Sequence, residues 1–203
     1  EAAGLGTQAA AVSVFSGAAA STIEAANRIT GLSFTVSGLV DGASEVIVVD
    51  GRTIALGVTS SGTTVTNSLA YSSTVSGATA TVVLSGGSLT TAATQTLVNT
   101  ISYQNTSTDN PGAGSRVFTL TQIKDNGGVA NSGADTTTLS IVSTVTVTAL
   151  NDAPVITTVA PNVTFVEGGL PQVIDGLGTV ADVDSPDFAG GVLTVTITQN
   201  ASA

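Results

Sequence analysis

The sequence predicts an all-β protein: an antiparallel β-sandwich of Greek-key type with one short helix, followed by the start of a second sandwich. Three observations predict it. Apolar residues alternate with Ser and Thr over most of the 203 residues, the period-two signature of strands with one buried face. Gly-, Asn-, Asp- and Pro-rich turns recur roughly every 8–12 residues, the spacing of a sandwich. Only one stretch departs to a helical period.

The elements follow in order. In "GLSFTVSGL", Leu32, Phe34 and Val36 share one face and Ser33, Thr35 and Ser37 the other. In "SEVIVVDGRTIAL", two strands flank Asp50-Gly51, a strong signal for a two-residue hairpin. Further strands are expected at "SLAYSSTV", "ATATVVLS", "TISYQN", "RVFTLTQI" and "TTTLSIVSTVTVTA", with turns between them at "DGAS", "SSGTT", "SGG", "DNPGAG" and "DNGGVANSGAD". In "SLTTAATQTLVNTIS", Leu89, Ala93, Leu97 and Ile101 recur every four residues. That stripe predicts a short helix near residues 90–98, crossing from one sheet to the other.

The long Val/Thr run ends at "LNDAPVI". Pro154 has no N–H to donate and holds the residue before it extended, so it closes one unit and opens another. Residues 1–11 read as the end of a preceding segment, 12–150 as the sandwich, 151–154 as a linker and 155–203 as part of a second repeat. The first residues carry no basic group ahead of an apolar run, so they do not read as a secretory signal. The sequence reads as a segment of a longer chain.

Composition narrows function. Charged residues are 9% of the chain, against roughly 25% in ordinary domains. Arg28, Arg52, Arg116 and Lys124 face 14 carboxylates, for a formal net charge of −10. Such a chain repels phosphate backbones and anionic membrane surfaces and attracts divalent cations, so nucleic acid is not an expected partner. No stretch reaches the roughly 18 apolar residues of a membrane helix, and membrane insertion is not expected. With no Cys, His, Met or Trp, disulfides, thiol nucleophiles, ordinary zinc sites and the commonest general base are absent. No Ser stands in a recognisable triad, and 3% aromatic residues leave little to stack a sugar against paired carboxylates. An enzyme is not expected.

The scarce acids cluster in loops: Asp125-Asn126-Gly127-Gly128, Asn151-Asp152, Glu167-Gly168 and Asp182-Val183-Asp184-Ser185. Calcium takes 6–8 hard oxygen ligands, and an Asp-x-Asp loop beside an Asn-Asp pair offers several. The same residues are also the usual turn formers, which need no metal.

The order of these motifs is what carries a resemblance. "FTLTQIKDNGG", "TTTLSIVSTVTVTALNDAPVI", "VTFVEG" and "GTVADVDSPDFAGGVLTVTIT" together resemble the join between consecutive cadherin-like repeats. The form is that of large secreted bacterial repeat adhesins (RTX, type I-secreted), with short "NDAP" linkers. The resemblance implies a cadherin/Ig-like sandwich and Ca2+ as cofactor. It implies that Asn151 and Asp152 act as linker ligands and that Asp182 and Asp184 are the Asp-x-Asp of the following unit. Glu24, in "STIEAA", would face that same joint, Glu167 would serve the next joint and Asp125 the previous one. The first unit has no evident Asp-x-Asp and no "L-D-R-E" loop, so one or two ions per joint are implied rather than three.

The function expected is a calcium-rigidified stalk repeat, extracellular and at the bacterial surface, active in cell adhesion and biofilm. Its partners would be neighbouring repeats of the same polypeptide or identical subunits. The alternative is a self-assembling filament or surface-layer subunit joined by strand exchange. A tip module binding glycan or ice is disfavoured by the few aromatics and by Thr residues without a fixed spacing.

Overall fold

The computed structural model describes residues 9–24, 26–108, 110–158, 162–185 and 187–197. Strands make up 40% and helices 8%, and the sheets are antiparallel, so the expected all-β sandwich with a single α-helix is the fold found. Two compact units divide at the Leu150–Asn151 bond.

The first unit contains two sheets. The smaller has the order β1 (Val12–Ser13), β8 (Ser102–Asn105), β3 (Glu45–Val49), β4 (Arg52–Ala55). The larger has the order β10 (Thr136–Val147), β9 (Gly114–Asp125), β2 (Ile29–Ser37), β7 (Thr79–Ser85), β6 (Ala70–Ser76), β5 (Ser60–Thr63). Alternation dictates the inner faces. Phe34, Val36, Val82, Leu84, Phe118 and Leu120 of the larger sheet join Ile47, Val49, Ile54 and Tyr103 of the smaller in one buried cluster. Tyr103 and Phe118 meet across it edge-to-face, with centroids 5.7 Å apart.

The hairpin forms where expected. Asp50 and Gly51 both hold positive φ (48° and 77°), as a type I′ turn requires. The helix α1 spans Thr91–Asn99 and links β7 of one sheet to β8 of the other. Thr90 caps it by accepting from the Ala93 N–H at 3.0 Å. Leu89, Leu97 and Ile101 are buried, and Ala93 packs against the core, so the four-residue stripe is the buried face.

One turn was misassigned by sequence. "SSGTT" holds the edge strand β5, and Gly62 stands opposite Tyr71. A Cβ at Gly62 would lie 2.9 Å from the Tyr71 ring, so glycine here makes room for an aromatic rather than a bend.

The second unit pairs β11 (Val155–Thr157) with β12 (Thr179–Ala181) in antiparallel register, Val155 opposite Ala181. Nearly all of its large apolar side chains are exposed.

Candidate cation site

The pairing of β11 with β12 brings two acidic motifs to one place. Pro154 directly precedes β11 and Asp182 directly follows β12. Since Val155 pairs with Ala181, the Asn151–Pro154 segment and the Asp182–Ser185 loop share one end of this small sheet. The Asp152 N–H donates to Asp184 Oδ2 at 2.9 Å, which fastens the linker to the loop. Asp182 Oδ1 accepts from the N–H groups of Asp184 (3.2 Å) and Ser185 (3.1 Å), which fixes the loop's bend. Desolvation pushes the Asp182 carboxyl up. The hydrogen bonds from Asp184 and Ser185 outweigh it, and its pKa lies below the usual carboxylate range. Asn151 Nδ2 donates to the Asp152 carbonyl at 2.6 Å.

One atom in this arrangement lacks a partner. Asp184 Oδ1 is buried and makes no hydrogen bond among the described residues. A carboxylate oxygen removed from water without a donor is costly, and a cation is one way to satisfy it. Among the described residues, no group of three or more His, Cys, Asp or Glu side chains converges tightly enough to form a metal cage. Asp182 and Asp184 are therefore brought together with the Asp152 backbone, not with a third carboxylate.

The other expected ligands lie elsewhere. β2 and β10 both run antiparallel to β9. They therefore start at the same end of the larger sheet, where Ile29 stands opposite Asp125, and Val147 ends opposite Gly114 at the far end. Glu24 precedes β2, so it lies at the Asp125 end. There Glu24 Oε2 accepts from Asn27 Nδ2 at 3.0 Å, Asp125 Oδ1 from the Gly127 N–H at 2.8 Å, and Asn126 Oδ1 from the Arg28 N–H at 2.7 Å. Glu167 is exposed in a turn closed by Gly169 N–H to the Val166 carbonyl.

The polar residues that sequence reasoning overlooked are inside. Arg116 and Glu45 are 1% and 0% exposed. Arg116 Nε donates to Glu45 Oε2 at 2.8 Å, and Nη2 to the Gly112 carbonyl at 2.7 Å and to Asp41 Oδ2 at 3.3 Å. Glu45 Oε1 accepts from the N–H groups of Val40 and Asp41, and Oε2 also accepts from Tyr103 OH. Burial, then the Glu45 charge, push the Tyr103 hydroxyl above its ordinary pKa. Burial alone would lower the Arg116 pKa, but its bond to Glu45 raises it, so the guanidinium stays charged. A signal for this network existed. Arg116 is in phase with Phe118 and Leu120, and Glu45 with Ile47 and Val49, which puts both charges on inner faces.

No protein-family model, no curated protein and no solved structure matches the chain.

Proposed function

We propose that the chain is a calcium-rigidified structural repeat of a large extracellular bacterial adhesin or surface fibre, a cadherin-like sandwich whose linker to the next repeat is held by Ca2+. The supporting observation is the unpartnered Asp184 Oδ1, in a loop fastened to the linker through the Asp152 N–H. Asp182 and Asp184 would supply carboxylate oxygens, and Asn151 and Asp152 the linker's oxygens, with water filling the remaining positions. Calcium is scarce inside cells and abundant outside, so the linker would stiffen on secretion. The role is mechanical: to hold a distal binding domain away from the cell. A second reading, a filament subunit joined by strand exchange, draws support from the exposed apolar strand-forming segments of the second unit.

Calorimetric titration of the chain with calcium tests the first reading. Saturable binding that weakens at least tenfold in Asp184→Ala is expected. Heats no different from a magnesium or buffer blank would overturn it.

A further inference from the structure

The strand β1 belongs to a strap, Ala9–Ala20, laid along β8 and α1. Val12 and Ser13 pair with Tyr103 and Ser102, and the Val14 N–H donates to the Ile101 carbonyl at 2.9 Å. Side-chain amides hold the rest of it. Gln104 Nε2 donates to the Ala9 carbonyl (2.9 Å), Asn99 Oδ1 accepts from the Ala18 N–H (2.9 Å), and Gln95 Nε2 donates to the Ala20 carbonyl (3.3 Å). Ser143 Oγ of β10 donates to the Val14 carbonyl. Every one of these contacts is to the strap's backbone, so the groove reads an extended chain rather than particular side chains. Specificity comes from two apolar sockets, filled by Val14 and Phe15.

The second unit carries the same short pattern. Val12-Ser13-Val14-Phe15-Ser16-Gly17 is matched by Val163-Thr164-Phe165-Val166-Glu167-Gly168. Gly17 and Gly168 both turn the chain at positive φ, 64° and 76°. The two anchors exchange order but both stay apolar and keep their summed volume, so the sockets accept them with some repacking. Glu167 replaces Ser16, which is exposed, so the match puts no charge inside. The difference is in burial: Val14 and Phe15 are 5% and 7% exposed, whereas Phe165 and Val166 are 63% and 70% exposed.

From this we infer that the β8–α1 groove is a strand-acceptor site, and that its exchange partner is the Val163–Gly168 segment of a second copy of this chain. The incoming segment takes over the backbone bonds that Val12, Ser13 and Val14 make to β8, Ile101 and Ser143, so the exchange needs no new kind of contact. It joins an N-terminal groove of one copy to a C-terminal segment of the next. Such a contact is heterologous, and it closes a ring or extends into a filament according to the rotation it imposes. The chain's own strap competes at an effective concentration of order millimolar, so exchange rises with protein concentration.

The test uses the full chain in chelator, which separates it from the calcium reading. Ser13 pairs with Ser102, and Thr164 is the counterpart of Ser13. Cα atoms of antiparallel pairs lie about 4.5–5.5 Å apart, within disulfide reach. A Thr164→Cys chain and a Ser102→Cys chain, mixed under mild oxidation, are expected to give a disulfide-linked heterodimer. Adding Phe165→Asp to the first chain is expected to abolish that heterodimer. A Ser13→Cys, Ser102→Cys double variant should close its bond within one chain, which shows that the sulfurs reach. No heterodimer while this intramolecular bond forms, or a heterodimer that Phe165→Asp leaves undiminished, overturns the inference.

Discussion

Arg116 on β9 and Glu45 on β3 stand on opposite sheets, 2.8 Å apart, and neither reaches solvent. The pair ties the two layers of the sandwich at a point where apolar contact alone would leave the connection from β8 to β9 unheld. Through Asp41 and the Gly112 carbonyl and N–H, the same network pins that connection. Removing one partner leaves a buried charge without its counter-ion. Arg116→Ala is expected to cost about 3–5 kcal/mol, read as a fall in the thermal midpoint. Arg116→Lys keeps the charge without the planar fork and is expected to lose less. A midpoint unchanged in Arg116→Ala would show the pair to be energetically idle.

Asp50 plays two roles from one position. Its backbone supplies the first positive-φ residue of the hairpin, and its carboxylate accepts from Thr64 Oγ1, Asn67 Nδ2 and the Asn67 N–H. Asp50→Ala takes the acceptor from all three donors at a site that is nearly buried, and should cost about 2–3 kcal/mol. Asp50→Asn tolerates the same φ and should cost less, so the order Asp, Asn, Ala in melting temperature is the check.

Acidification separates the loop from the sandwich. Desolvation pushes the Asp182 carboxyl up, but its hydrogen bonds with Asp184 and Ser185 outweigh that, so its folded pKa is depressed. Its contribution is therefore present above the unfolded pKa of about 3.9 and is lost as pH falls through the lower folded value. In a proton NMR titration, the Asp184 and Ser185 amide shifts should move together, with a midpoint below that of an ordinary aspartate. Asp182→Asn should remove the transition. A midpoint at or above the ordinary value would contradict the bonding seen here.

Most of the sandwich was legible because each strand solves one local problem. Leu32, Phe34 and Val36 need one buried face, and alternation states which. The helix was legible for the same reason at a different period. β5 was not, because Gly62 is set by the Tyr71 ring of the neighbouring strand, and such pairing is invisible along the chain. The position of Glu24 was not legible either. It depends on β2 and β10 running the same way beside β9, a fact of topology that no motif encodes. The buried charges lay within reach of the period argument, but acids near Gly and Asn draw the eye to loops.

The loop at Asp182–Ser185 gives the most local test of cation binding. The Asp152 and Asp184 amides donate to Asp184 Oδ2 and Asp182 Oδ1, the carboxylates proposed to hold calcium. A ligand bound only to the closed arrangement stabilises it by RT ln(1 + [L]/Kd), so a hundredfold excess over Kd adds about 2.7 kcal/mol. If exchange of these amides requires the loop to open, their hydrogen-exchange protection should rise by up to about a hundredfold in calcium. The Leu39 amide, bonded to the Ala78 carbonyl in the sandwich, serves as the internal control and should not change. In Asp184→Ala the calcium-dependent protection at Asp152 should vanish, since both the acceptor and the unpartnered Oδ1 are gone. Equal protection at Asp152 with and without calcium in the wild-type chain would mean that the orphaned oxygen has some partner other than a cation.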